Sequence, residues 1–488
     1  MDSIHKQYLA ATLACALTAT TVCAQTIDSR IGKLDFELGV PTQQTATKLY
    51  DEMDFQRAVQ CYLWGLPIVG VEQNRQGLVH DTGAKSGDLA IYDDYRSKST
   101  ILAGNNNTPY YYGFIDLSEK GPTVLDFPPG PSAGAVIDWW ERPLTDVGLP
   151  SAEQGRGGKY LFLGPGQEAP KGSEGYRVFR SPTFKTEIFF RTLQTDPAQA
   201  KAFVDAVHIY PWSERDNNPP PARLLTPKAD GALLSQMIPR GTAYWERLSQ
   251  ALAGEPGEDR DRYFMAMLKP LGIESGKPFA PDARQKMILE QAATVGEAMA
   301  KTMDFRGRLP GIRYRPDATW EYVIPPSYNV QQDVENSTQF DERIALYYSA
   351  WGMSNGSVSK TPGVGQVYLA SFVDKEGQPF DGAKSYTLRV PPNPPAQRFW
   401  SVTVYDIDTR TLIQNPAQKP DRVSTDGLDT NADGSVDIYF SPTSPKGHEK
   451  NWIQTVPGKA WFPFLRLYGP LEPYYDRSFA LPDIEKVK

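Results

Sequence analysis

The chain has 488 residues, more than one hydrophobic core ordinarily supports, so two or three domains are expected. Hydrophobic residues make up 40% and aromatic residues 11%, enough to build sizeable cores. The formal net charge of -7 is modest and no run of Lys and Arg forms a basic footprint, which argues against a nucleic-acid partner.

Lys6 precedes an apolar, small-residue stretch over 8–22, and Val22-Cys23-Ala24 places small residues where a signal peptidase reads. The stretch is too short for a stable membrane anchor. Residues 1–24 are therefore expected to be an export signal, with Gln25 first in the mature chain and a periplasmic or secreted location; a mis-chosen start on a cytosolic protein is the alternative. Removing the leader takes Cys15 and Cys23 with it, leaving Cys61 alone and no possible intramolecular disulfide. No membrane span is expected in the mature chain.

Residues 25–99 read as a lead-in segment. Within it, 49–71 carries Phe55, Val59, Tyr62 and Leu63 at helical spacing, and Gly65 and Pro67 are expected to end the helix. Cys61 reads as a small packed side chain. Residues 100–195 then alternate as short strands at 110–117, 123–127, 134–140, 159–163, 176–180 and 185–193, the pattern of an antiparallel sandwich. Asn105-Asn106-Asn107-Thr108-Pro109-Tyr110, Ile115-Asp116-Leu117, Trp140, Asp146-Val147-Gly148 and Gly155-Arg156-Gly157-Gly158-Lys159-Tyr160-Leu161 together resemble the DUF1254 family. That family often has Gly-Pro-Asp before the glycine run, where this chain has Ser151-Ala152-Glu153, so the resemblance assigns no role to that carboxylate.

Asp196-Pro197 is a helix start, a capping side chain followed by proline at the first helical position, and opens a helical segment over 196–310. Its helices are expected to reach 209 and to span 241–253, 259–268 and 281–304, the last with Met287, Ala292, Val295 and Met299 near one apolar stripe. Strand patterns return over 311–488, most clearly at 386–390, 399–406, 436–440 and 460–468. The ordered set Arg398-Phe399-Trp400-Ser401-Val402-Thr403-Val404-Tyr405-Asp406, Asp433-Gly434-Ser435-Val436, Asn451-Trp452 and Arg466-Leu467-Tyr468-Gly469-Pro470 resembles DUF1214, which implies a jelly-roll kind of architecture. The fold is thus expected to be mainly β with a helical middle: two antiparallel β-sandwiches, immunoglobulin-like at the N-terminus and jelly-roll-like at the C-terminus, joined by an α-helical segment.

The mature chain holds only His80, His208 and His448, without HExxH, GxSxG or CxxC, so zinc or Ser-His-Asp chemistry is not expected and neither metal nor cofactor is assigned. His208, at a helix end, reads as a cap. The loop 429–437 mimics the start of a calcium loop but has Phe440 where a bidentate Glu would complete it, so a hairpin turn is the leading reading. The glycine-rich stretch 155–159 reads as a hairpin or as an anion nest. Alternation in the C-terminal strands puts Thr387, Arg389, Ser401, Thr403, Tyr405, Asp437, Tyr439, Arg466 and Tyr468 on one parity, with Leu388, Val390, Trp400, Val402, Val404, Ile438, Leu465 and Leu467 on the other, the core. The first set is rich in Tyr and Arg. Arg389, Tyr405, Arg466 and Tyr468 are candidate ligand contacts, a solvated or interdomain face being the alternative.

A second cluster joins Asp138, Trp140, Glu141, Arg142 and Asp146. Asp138 and Glu141 are candidate general acids or bases beside an indole, and Trp140 and Arg142 are candidate ligand contacts. In the structural alternative Trp140 plugs the sandwich and Arg142 pairs with Asp146. Two functional classes stay open: a cofactor-independent hydrolase or lyase acting on a small polar or aromatic compound, or a non-catalytic ligand-binding or cell-envelope assembly protein. The oligomeric state is left open. Intact-mass measurement of the native protein should give a chain starting at Gln25, recovered from periplasm or medium; a cytosolic chain retaining residues 1–24 would remove the export reading.

Overall fold

The computed structural model describes residues 25–92, 101–194, 196–227 and 237–487. The expected export signal at residues 1–24 therefore lies outside the described residues. The chain falls into two compact units, 1–56 and 57–488. In the first, the strands Gln25–Ser29, Gly32–Glu37 and Val40–Pro41 form an antiparallel meander.

The long helix Gln43–Thr82 runs straight through Gly65 and Pro67, where the sequence predicts its end. An interior proline costs a helix about 3 kcal/mol, and burial around the whole circumference offsets it: Tyr62, Leu63, Trp64, Leu66, Ile68 and Val69 are all buried. Gly65 serves a close contact rather than a stop, since a Cβ there would sit 2.9 Å from the Tyr244 hydroxyl. Cys61 is packed inside this helix, and burial pushes its thiol up to about 12, far from a reactive thiolate.

Six strands of the N-terminal half pair in the order Leu224–Leu225, Leu89–Tyr92, Tyr110–Asp116, Lys185–Thr192, Ser132–Asp138 and Pro143–Gly148. Four others pair as Arg177–Arg180, Gly158–Leu163, Thr123–Phe127 and His208–Pro211. Ile115, Val136, Ile188 and Phe190 of the first sheet share a core with Leu125 and Phe162 of the second. The helix opened by Asp196 ends at Asp205, and His208 begins a strand instead of capping a helix; its ring meets the Pro219 carbonyl.

Thr242–Leu252, Arg262–Leu268 and Ala283–Phe305 supply the helical middle, the last closed by a capping box between Asp282 and Gln285. Its buried stripe is Ile288, Leu289, Ala292, Ala293, Gly296 and Ala300. Met287 and Met299, expected in that stripe, are exposed. The reason is Gly296, which lets the helix approach so closely that a Cβ would lie 2.6 Å from the Tyr62 ring; small residues, not methionines, fill a contact that tight.

In the C-terminal half one sheet orders Glu321–Tyr322, Gln366–Ala370, Ala460–Pro470, Ala396–Asp406 and Asp421–Val423, and a second orders Trp452–Gln454, Val436–Ser441, Tyr386–Val390 and Glu485–Lys486. Trp400, Val402 and Leu465 of the first meet Leu388, Ile438 and Phe440 of the second in one core. The chain is thus mixed, with helices and several sheets, none closed into a barrel among the described residues. Three strand pairs are parallel rather than antiparallel. Among the described residues no helix is long and apolar enough to cross a membrane.

Gly296→Ala should cost about 1–3 kcal/mol in denaturant unfolding, the usual scale of overpacking. Gly257→Ala, with open space at its Cβ, should stay within about 0.5 kcal/mol. Equal effects would contradict the close helix contact.

Candidate functional site

The odd-numbered residues of Lys185–Thr192 point away from the N-terminal core and carry Glu187, Phe189 and Arg191, while Ile188 and Phe190 fill it. On the C-terminal side, strand register puts Tyr368, Arg466, Ser401 and Val423 on one rung, Gln366, Tyr468 and Phe399 on the next, and Phe464, Thr403 and Asp421 on a third. Paired residues share a face. These two faces meet around a cavity of about 410 Å³ lined by residues of both, within the size range of small-molecule sites.

Arg466 and Arg191 dominate it. Arg466 is 2% exposed; its Nη2 donates to the carbonyls of Ala103 and Gly104 and to the Tyr405 hydroxyl, and its guanidinium lies over the Tyr368 ring at 4.9 Å. Ala103 holds a positive φ of 50°, the conformation that turns both carbonyls toward the arginine. Arg191 is 8% exposed, donates to Gln366 and, at 3.4 Å, to Thr108, and packs over Tyr110 and Tyr468. Exposed Arg398 completes the set.

Among the described residues none of these three arginines has a carboxylate in ion-pairing reach, and the tyrosines supply no compensating charge. Burial pushes the Tyr405 and Tyr368 phenols well above their ordinary value, so both stay neutral. A buried guanidinium costs several kcal/mol unless paired. Five buried polar atoms on the same sheet face also lack a hydrogen-bond partner: Arg466 Nε, Tyr468 Oη, Ser401 Oγ, Thr403 Oγ1 and Asp421 Oδ2. Buried donors and acceptors are ordinarily satisfied. Of the residues carrying these atoms, Arg466 and Tyr468 line the inner chamber.

A wider outer chamber of about 1110 Å³ adjoins the first, sharing Arg191, Leu193, Arg398 and Tyr468 as walls. Asp421 lines it, and burial raises its carboxyl from 3.8 to about 6.

Residues 350–354, 356 and 357 line the inner chamber, and three buried carboxylates of the N-terminal half grip this segment. Glu187 accepts the Trp351 indole N–H at 3.0 Å, Glu141 accepts the Gly352 N–H at 2.8 Å, and Asp146 accepts those of Asn355 and Gly356 at 2.9 and 2.8 Å. Burial pushes Glu187 up to about 8 and Glu141 well above the usual carboxylate range.

Comparison with known proteins fits this two-sided arrangement. Residues 87–211 match the model of DUF1254, a protein family of unknown function, and residues 365–472 match that of DUF1214, likewise of unknown function. The chain is a DUF1254/DUF1214 domain-containing protein. The crystal structure of the VPA0106 protein from Vibrio parahaemolyticus is similar in fold, with a TM-score of 0.54 at 17% identity over 89% of this chain and 100% of that one. An uncharacterised protein from Burkholderia cenocepacia aligns with a TM-score of 0.40 at 14% identity over 91% of this chain and 98% of that one. No curated protein matches the chain.

Of the residues the sequence singles out, Arg466 and Tyr468 line the inner chamber of this DUF1254/DUF1214 protein, and buried Tyr405 accepts from Arg466 and donates to the Gly104 carbonyl. Arg389 is not with them. It lies on Tyr386–Val390 in the other sheet, exposed and forked onto Asp437 at 2.9 and 3.2 Å. Parity separates core from outside, but each sheet has its own outside. Asp138, Glu141, Trp140 and Arg142 also line neither chamber. Asp138 accepts the N–H groups of Trp140 and Arg142 and the Arg142 Nε, and Arg142 reaches on to Glu258, not to Asp146. Trp140 packs on Trp64 with ring centres 4.7 Å apart. Glu141 meets the inner chamber through the Gly352 backbone it holds, and neither predicted carboxylate lines a chamber. Buried Glu153 accepts the Gly148 N–H and pairs with Arg177 at 3.1 Å.

The loop at 429–437 is a closed turn in which Asp433 accepts from Ser435 and Asn431 donates to Asp437. Among the described residues no group of three or more His, Cys, Asp and Glu is placed to hold a metal ion. Sequence reasoning missed Arg191, Tyr110, Tyr368, Arg398 and Asp421. Arg191 was legible as a charged residue on the non-core parity of a strand.

Because the folded chain holds the Asp421 proton more tightly than the unfolded chain, stability falls as pH rises from about 4 to 6, by about 3 kcal/mol once the carboxyl is fully ionised. Asp421→Asn should therefore be more stable than the parent at pH 7.5, with the advantage vanishing at pH 4. Denaturant unfolding at both values checks it; a variant less stable at pH 7.5 would contradict the desolvated carboxyl.

Proposed function

We propose that this DUF1254/DUF1214 protein binds a small anionic compound in the inner chamber, with Arg191 and Arg466 as the anion's contacts. One observation carries the reading: two buried guanidinium groups line a cavity, and among the described residues neither has a carboxylate within ion-pairing distance and none lines that cavity. An arginine offers a planar fork that matches a carboxylate or phosphate bidentately. We also read the protein as exported, on the leader pattern of residues 1–24, and its paired sheets as an immunoglobulin-like and a jelly-roll-like sandwich, a reading supported by the core each pair shares.

A second reading, a cofactor-independent hydrolase or lyase, is favoured by Asp421, a desolvated carboxyl with a free oxygen in the adjoining chamber. The two differ in what Asp421→Asn does. Loss of turnover with affinity retained marks catalysis, whereas a pure binding site keeps its affinity and has no turnover to lose.

With benzoate, sulfate and phosphate as probes in calorimetric titrations, Arg466→Ala or Arg191→Ala should weaken the best of them about tenfold or more, since a hydrogen bond to a charged group is worth about 1.5–3 kcal/mol. Arg389→Ala, whose side chain is exposed and paired elsewhere, should bind as the parent does. Equal weakening by all three variants, or none, would sink the reading, provided near-ultraviolet circular dichroism shows each variant folded.

A further inference from the structure

We infer that the anion carries an apolar body, so that the ligand class is an amphipathic monocarboxylate, its head at the arginines and its hydrocarbon part inside the inner chamber. This rests on the anion-binding reading above and adds the substrate class to it.

The walls of the two chambers differ in kind. Apart from Arg191, Arg398 and Arg466, no residue lining the inner chamber is charged, and its surface is built from Ile101, Phe189, Ile324, Leu346, Met353 and Phe464 among others. The outer chamber instead presents Lys201, Lys419, Asp421, Asp426, Asn106 and Asn107. Arg191 and Arg398 line both chambers, as does Tyr468, so the positive charge stands at their boundary. Arg466 is one rung from Tyr468 on the same strand face.

A largely uncharged, apolar-lined space bounded by arginines is the complement of a molecule with a hydrocarbon end and an anionic head. A bare inorganic anion would satisfy the guanidinium groups and leave about 410 Å³ of apolar-walled space unused. Each methylene moved from water into such a space contributes about 0.8 kcal/mol, which is about fourfold in affinity. One wall is also fixed in place: the carboxylates of Glu187, Glu141 and Asp146 hold Trp351, Gly352, Asn355 and Gly356. A chamber with a held wall has a definite depth. Affinity should therefore rise with chain length and then stop.

The test is a titration of the full chain with acetate, butyrate, hexanoate, octanoate and decanoate, with 4-phenylbutyrate as an aromatic counterpart and phosphate as the bare anion. Affinity should rise about threefold to fourfold per methylene to a plateau. Ala350→Phe and Ile324→Trp, each placing bulk on the chamber wall, should cut octanoate binding at least tenfold and leave acetate unchanged. Dependence on chain length that survives both substitutions would put the hydrocarbon elsewhere and overturn the inference, as would acetate or phosphate binding as tightly as octanoate. Loss of acetate and phosphate binding on Arg466→Ala, together with a flat chain-length series, would keep the anion site and reject the apolar body. No binding by any of these probes would reject both.

Discussion

Removing a guanidinium from water without giving it an anion is the constraint around which this structure is arranged. Arg466 and Arg191 are both nearly inaccessible, and among the described residues their hydrogen bonds and ring contacts go to neutral groups: backbone carbonyls, a side-chain amide, hydroxyls and the faces of tyrosine rings. Such partners satisfy some N–H groups but leave the charge uncancelled. A fold selected for stability alone would place a carboxylate here or use an apolar side chain. Keeping both arginines costs stability, and functional sites are where such costs are retained.

Neither half of the chain forms this site alone. The segment matching DUF1254 contributes Arg191, Tyr110 and the carbonyls of residues 103 and 104; the segment matching DUF1214 contributes Tyr368, Arg466 and Tyr468. The buried carboxylates belong to the same division of labour. Glu141, Asp146 and Glu187 come from the first segment, yet the backbone and indole groups they hold lie at residues 351–356, just before the second. Burial raises the pKa of each while each accepts hydrogen bonds from that segment. Asp421 differs, because its buried Oδ2 is engaged by nothing and faces a chamber.

The sequence made the strands legible because their alternation is strong. The expected 123–127 and 386–390 coincide with Thr123–Phe127 and Tyr386–Val390. Alternation also placed Tyr405, Arg466 and Tyr468 together, since they occupy facing strands of one sheet. It could not separate Arg389, because parity carries no record of which sheet a strand joins. Pro67 and the methionines were misread for a related reason. Whether a helix ends at a proline, or which stripe it buries, depends on what packs against it, here Tyr244 and Tyr62, and those partners lie far away in sequence. Asp138 and Glu141 drew attention as carboxylates beside an indole, a pattern that a tight, capped turn shares with an acid catalyst.

The claim that the arginine pair is an anion site is tested most directly by diffraction at the bromine absorption edge from crystals of this protein soaked in bromide. The account predicts an anomalous peak within about 3.5 Å of the Arg191 or Arg466 guanidinium, inside the chamber. Bromide found only on exposed cations such as Arg389, with the buried arginines bare, would contradict it.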